Sequence, residues 1–294
     1  MRERLICSLL ALVIFSQPVF ASALPAGKDI KIAIIDTGIS TKAINSGQFV
    51  QGYNYVKENK DTEDTIGHGT AIAGLIAGSS PAGLTGIAPR AKLVPLVYQT
   101  TDANGNIKKG NDEMVARAIR DAVDKYGCRV INLSVGTTLE SKLLRQAVEY
   151  AEEKNAVVIS SVGNKNVKNP DCLYFPAAYP TVIGVGSVNK KGRVSDFSQR
   201  NKTVMLVATG EKIWTVSKNG KALLTNGTSF ATAFVSGAVA ALLYARPELT
   251  AAEVRSILCR SATDIEEIGY DTDSGWGILN LDEALTLATE VRNQ

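Results

Sequence analysis

Five short apolar runs, at residues 30–36, 93–98, 130–134, 156–162 and 182–188, punctuate the chain, and each is nearly continuous rather than alternating. Their β-branched composition suits strands buried on both faces. Apolar residues recur at helical spacing over 68–77, 112–126 and 139–154, in a long apolar stretch starting near Ser229, and again at Val254, Ile257 and Leu258. Strands alternating with helices predict parallel pairing through crossover connections. The expectation is one α/β domain with a mainly parallel central sheet flanked by helices on both faces. Gly127 reads as the stop of the second helix, Thr137-Thr138-Leu139-Glu140 as a capping box for the third, and Thr250-Ala251-Ala252-Glu253 as a further box. Residues 101–110 and 165–170 are rich in polar residues and turn formers and read as loops. The run Asp271-Thr272-Asp273-Ser274-Gly275 reads as a surface turn.

The N-terminus breaks this pattern. Residues 1–23 combine Met1-Arg2-Glu3-Arg4, an apolar stretch over 5–15 and the small residues Ala21-Ser22-Ala23, the plan of a secretory signal peptide cleaved after Ala23. The apolar run is shorter than the ~20 residues of a membrane span. No stable span is therefore expected after cleavage, an uncleaved anchor being the alternative. Residues 24–294 then form the mature domain, secreted or periplasmic. Loss of Cys7 leaves Cys128, Cys172 and Cys259, enough for one bridge at most. Cys128 and Cys259 fall in apolar strand and helix patterns and read as small buried hydrophobes. A 45% apolar and 21% charged composition, with a net charge of +3 spread without long runs, describes a soluble globular protein and excludes a basic nucleic-acid-binding stripe.

The chain has one histidine, His68, in Gly67-His68-Gly69-Thr70, with Asp36-Thr37-Gly38 upstream and Gly227-Thr228-Ser229 downstream. A lone imidazole is the natural group for proton transfer near neutral pH. An aspartate, a histidine and a serine, in that order and each in a glycine-bearing turn, point to nucleophilic acyl transfer. Chymotrypsin-type chains run His, Asp, Ser, and α/β-hydrolases run Ser, Asp or Glu, His, so neither matches. Asp36 would orient the imidazole, His68 would act as base and then acid, and Ser229 would attack. Asn164, just past an apolar run in Val162-Gly163-Asn164, is the candidate donor to the oxyanion. A single Asp-Thr-Gly argues against an aspartic peptidase, which needs two carboxylates sharing a proton.

At these residues the chain resembles the subtilisin-like serine peptidases, the subtilases. The matching segments are Ile34-Ile35-Asp36-Thr37-Gly38, Gly67-His68-Gly69-Thr70, Val162-Gly163-Asn164 and Asn226-Gly227-Thr228-Ser229-Phe230-Ala231-Thr232, and the likeness runs to Gly275-Trp276-Gly277-Ile278-Leu279-Asn280. The resemblance implies a subtilisin-like fold and hydrolysis of peptide bonds through an acyl-enzyme. It implies protein or peptide substrates held extended as an added strand along Ser134-Val135-Gly136, with Gly163 at the substrate. No cofactor is required for such chemistry.

Several departures qualify the resemblance. Ala71 stands where relatives usually have a second histidine, and Ala233-Phe234 where they usually have Pro-His. Residues 78–86 fall where many relatives bind calcium through an asparagine-rich loop, yet they hold no carboxylate or side-chain amide. The usual calcium ligands are thus not evident, and carbonyl ligands elsewhere stay open. Only residues 24–29 lie between the expected cleavage site and the first strand, so activity is expected without self-cleavage of a large segment. Unaided folding, a separate folding helper or an inhibitor are the open routes. Asp61, Glu63 and Asp64 read as a solvated loop. Lys165 is expected at the rim of the pocket for the residue preceding the cleaved bond, and Leu173 or Tyr174 at its base, making that pocket shallow. A peptide ligase and a peptide-binding pseudoenzyme are the alternatives to a peptidase.

Overall fold

The computed structural model describes residues 29–290. The expected signal peptide and Cys7 lie outside the described residues. The chain runs through β1 (Lys31–Asp36), β2 (Tyr53–Asn54), α1 (His68–Ala77), β3 (Gly78–Ser79), β4 (Leu84–Thr85), β5 (Lys92–Val97), β6 (Gln99–Thr101) and β7 (Ile107–Lys109). It continues through α2 (Asp112–Asp124), β8 (Val130–Leu133), α3 (Lys142–Glu153), β9 (Val157–Ser161), β10 (Ile183–Val188) and β11 (Leu206–Thr209). The hairpin β12 (Ile213–Val216) and β13 (Ala222–Thr225) precedes α4 (Thr228–Ala245), α5 (Ala251–Ser261) and α6 (Leu281–Glu290).

Seven strands form one sheet in the order β11-β10-β9-β8-β1-β5-β2, and every neighbouring pair is parallel. Alternation along β1 explains how both faces are covered. Ile32 and Ile34 enter one core with residues of α1, α4, α5 and α6, while Ala33 and Ile35 enter the other with residues of α2 and α3. Successive strand side chains point to opposite faces, so a strand buried twice must be apolar throughout. The fold is the α/β architecture with helices on both faces that the apolar runs imply.

Helix α4 is long and apolar enough to cross a membrane, but 89% of it is buried within the domain. It is the core helix against which α1 and strands β8, β9, β10 and β11 pack.

Local differences from expectation have physical reasons. The third helix begins at Lys142, with Ser141 as its N-cap accepting from the Leu144 N–H at 3.4 Å. Residues 137–140 do not form its capping box because Thr137 pairs in extended form with Phe175, through N–H···O bonds of 3.0 and 2.8 Å. The expected loop 101–110 contains β7, paired back on β6. Its Ile107, Lys108 and Lys109 are all exposed, so the hairpin carries no apolar alternation to announce it. Strands β2 and β11, one two residues long and the other four, also complete the sheet without a long apolar run. Thr250 and Glu253 do form a reciprocal capping box. Residues 78–86 include the β3–β4 hairpin, and Asp271 accepts from Asp273 N and Ser274 N in a tight turn. Cys128, Cys172 and Cys259 are all free thiols; burial pushes the Cys128 thiol up to about 12 and that of Cys259 up to about 11.

Candidate active site

Strand β1 lies between β5 and β8, so the chain leaves it first toward one side of the sheet and later toward the other. Beyond the carboxyl ends of strands at such a switch point, diverging loops leave a crevice where ligands bind in open α/β sheets. Asp36 ends β1, Ser134 follows β8, and Asn164 lies three residues past the end of β9. The topology thus brings together segments remote in sequence.

Asp36 is 1% exposed, and both of its oxygens face the imidazole: His68 Nδ1 lies 2.8 Å from Oδ1 and 2.9 Å from Oδ2. Oδ1 also accepts from the Thr37 N–H at 2.8 Å. A carboxylate only accepts, so this contact places the ring proton on Nδ1 and leaves the Nε2 lone pair free. Thr37 Oγ1 in turn accepts from Gly69 N at 2.8 Å, tying the end of β1 to the start of α1. Only a glycine fits at 69, because a Cβ there would lie 2.3 Å from the Gly38 carbonyl oxygen.

Asp64 does not sit in a solvated loop. It is 3% exposed and accepts from Ile66 N, Gly67 N, Thr70 N and Thr70 Oγ1 at 2.6–3.0 Å. These bonds satisfy backbone donors at the start of α1 that have no partner within the helix. Asp61 and Glu63 are exposed, as expected of that loop. Burial depresses the pKa of His68, but the charge of Asp36, its hydrogen bond and the charge of Asp64 outweigh it, so the net direction is upward from 6.5.

Ser229 is the second residue of α4 and is 8% exposed. The His68 and Phe230 rings are 5.6 Å apart, which places the imidazole beside the first turn of α4. Among the described residues no hydrogen bond joins Ser229 Oγ to His68. Ser134 Oγ reaches the Ser229 carbonyl at 3.3 Å and accepts from Asn132 Nδ2 at 3.1 Å, while Ser236 Oγ donates to Asn132 Oδ1 at 2.9 Å. This polar chain, through a fully buried Asn132 that sequence reasoning did not single out, couples the end of β8 to α4.

The Asn164 amide has a defined orientation. Its Oδ1 accepts from the Thr228 N–H and Oγ1, each at 2.9 Å. A backbone N–H can only donate, so the atom facing it is the oxygen, and Nδ2 remains free as a donor. Ser134, Gly136, Ser161, Gly163, Asn164, Lys165, Tyr174 and Ser229 line one cavity of about 200 Å³. Val135 does not line it; its side chain is half-buried against the core shared with α2 and α3. Leu173 is likewise not in the lining, whereas Tyr174 is. Among the described residues no group of three or more His, Cys, Asp or Glu side chains could hold a metal ion.

A family model described as "Subtilase family" matches residues 27–277. The major intracellular serine protease of Bacillus subtilis (strain 168) is 36% identical over 222 residues, covering 73% of this chain and 68% of that protein. Subtilisin DY of Bacillus licheniformis is 30% identical over 265 residues, covering 88% of this chain and 91% of that one. Among solved structures, fervidolysin from Fervidobacterium pennivorans superposes with a TM-score of 0.78 at 31% identity, covering 87% of this chain and 42% of that one. Likeness of this extent, in sequence and in the parallel sheet alike, makes the chain a member of the subtilase family and a subtilisin-like serine protease.

Proposed function

We propose that the chain is an endopeptidase working through an acyl-enzyme on Ser229, with His68 as base then acid, Asp36 as its orienting partner and Asn164 as an oxyanion donor. The observation that carries this reading is the double contact of Asp36 on His68 Nδ1, which leaves Nε2 free beside the helix that bears Ser229. Ser229 Oγ attacks the scissile carbonyl carbon as its proton passes to His68 Nε2. The carbonyl oxygen becomes an anion that accepts from Asn164 Nδ2 and from backbone N–H at the start of α4, where the helix dipole also favours negative charge. Collapse breaks the C–N bond, and the imidazolium returns the proton to the leaving amine. Water then repeats the sequence on the ester and releases the acid. Every step uses groups of the chain itself, so the reading requires no cofactor.

The substrates are proteins or peptides bound extended along Ser134-Val135-Gly136 and Gly163, and the mature chain is secreted or periplasmic. The relative named intracellular makes location a separate question, answered by N-terminal sequencing of the exported protein: Leu24 is the expected first residue. The chemistry is tested by intact mass after treatment with a fluorophosphonate, beside incubation with unfolded casein. Wild type should gain one adduct and yield casein fragments ending in free carboxylates, and Ser229→Ala should do neither. A folded wild type that does neither refutes the reading.

A further inference from the structure

We propose that Lys218 is a positioning residue for the general base: from the turn of the β12–β13 hairpin it holds the segment leading into His68, and with Thr215 it makes that hairpin a brace between the helix of His68 and the helix of Ser229. This inference rests on the acyl-transfer reading. Since no hydrogen bond joins Ser229 Oγ to His68 among the described residues, their spacing is set by what ties α1 to α4. Part of that tie is direct packing of the two helices, and part runs through β12, which packs on α1. Only Asn226 and Gly227 separate β13 from α4, so the hairpin is continuous with the chain that delivers Ser229.

The hairpin is fastened to α1 at successive turns. Thr215, fully buried, donates from Oγ1 to the Ala71 carbonyl at 2.6 Å. Further along, a Cβ at position 74 would lie 2.6 Å from Val216 Cγ1, so Gly74 is what lets strand and helix close on each other. Ahead of the helix, Lys218 Nζ donates to the Thr65 carbonyl, and the lysine's Cβ, Cγ and Cδ lie 3.8–3.9 Å from where a Cβ on Gly67 would stand. Positions 67, 71 and 74 recur at helical spacing, so the hairpin covers one continuous face that begins at the residue before His68.

Donor and acceptor are both held in place. In the hairpin turn, Ser217 N donates to the Lys221 carbonyl at 2.8 Å, Gly220 N to the Ser217 carbonyl at 2.9 Å and Lys221 N to Ser217 Oγ at 3.2 Å. Across from it, Thr65 Oγ1 accepts from Thr101 N at 3.0 Å, while Asp64 takes the N–H groups of Ile66 and Gly67. A fixed donor on a fixed acceptor transmits position. Asp36 thus orients the ring through Nδ1, and the brace sets where the ring's backbone stands relative to Ser229.

Misplacing a reacting group by ~1 Å can cost ~10²-fold in rate. The test compares wild type with Lys218→Met, which keeps the stem and loses the ammonium, on a peptide amide at the pH plateau above the His68 inflection. Folding of the variant is checked by thermal unfolding in a Ser229→Ala background. Its kcat should fall by about 10- to 100-fold with KM unchanged. Labelling of Ser229 by a small fluorophosphonate, which has no peptide to bind, should slow by the same factor. In a His68→Ala background, where an activated ester reports the residual activity, Lys218→Met should cost nothing further, because a residue that acts through the base has no effect without it. An unchanged kcat, a loss confined to KM, or an equal loss with and without His68 overturns the assignment alone, wild type still being labelled. If Lys218→Met does not fold, Thr215→Val, which removes the hydroxyl bond to Ala71, is judged by the same criteria. Absence of adduct on folded wild type refutes the acyl-transfer reading, and the assignment falls with it.

Discussion

His68 stands between two carboxylates that act on it differently: Asp36 touches its ring, and Asp64 acts from the turn that starts its helix. Since these charges raise its pKa above 6.5 against the opposing effect of burial, the acid limb of the kcat/KM profile should inflect above pH 6.5. Asp64→Asn removes one negative charge, so the inflection should move to lower pH, and an unmoved limb would refute the coupling. The same raised pKa makes protonated His68 stabilising below pH 6.5, a contribution lost as pH climbs through the folded-state value. Asn164→Asp keeps an acceptor for Thr228 but replaces the free Nδ2 donor with oxygen. Steady-state kinetics should show kcat falling by at least ~10²-fold, the usual cost of losing one oxyanion donor. The glycine-bearing turns around Asp36, His68 and Ser229 are conspicuous in the sequence because rare residue types stand adjacent. The burial of Asp64 is not, since three acidic residues within four positions look alike until the helix start claims one of them.

Helices announce themselves through periodicity and caps, but a cap competes with other partners for the same backbone. Thr250 has no rival and forms its box with Glu253, with N–H and hydroxyl both 2.8 Å from Oε2. Thr250→Ala should therefore cost ~1 kcal/mol, read from urea unfolding, with kcat/KM unchanged because α5 lies away from the cavity. Thr137 looks equally suited to capping, yet its backbone is committed to Phe175, thirty-eight positions later, a partner no local pattern reveals. The strands read most clearly are those with long apolar runs. The β6–β7 hairpin, exposed throughout β7, and the two-residue β2 carry no such signal.

At the level of the whole molecule, the near-continuous apolar runs were informative because both faces of the sheet are covered. Each central strand serves two cores, so a single residue should matter to one of them. Ile35 is fully buried on the α2–α3 side. Ile35→Ala in a Ser229→Ala background, where self-digestion cannot confuse the measurement, should lose ~2–5 kcal/mol of unfolding free energy. A loss below ~1 kcal/mol would mean that this core is less tightly packed than its burial indicates. The order of strands around β1 was not readable from the runs, because periodicity says what is buried but not beside what. That order nevertheless decides which loops converge at the crevice.

An endopeptidase is also exposed to its own kind, and the folding of its own surface turns bears on how long a population of these molecules lasts. The turn spanning residues 102–106 projects into solvent and offers Ala103 and Gly105, both small and both exposed. Leu139, Leu143 and Val167 are also exposed, but carry bulkier side chains. At the 102–106 turn the Asp102 carboxylate accepts from the N–H groups of Asn104 and Asn106 and so resists the unfurling that cleavage by a neighbouring molecule requires.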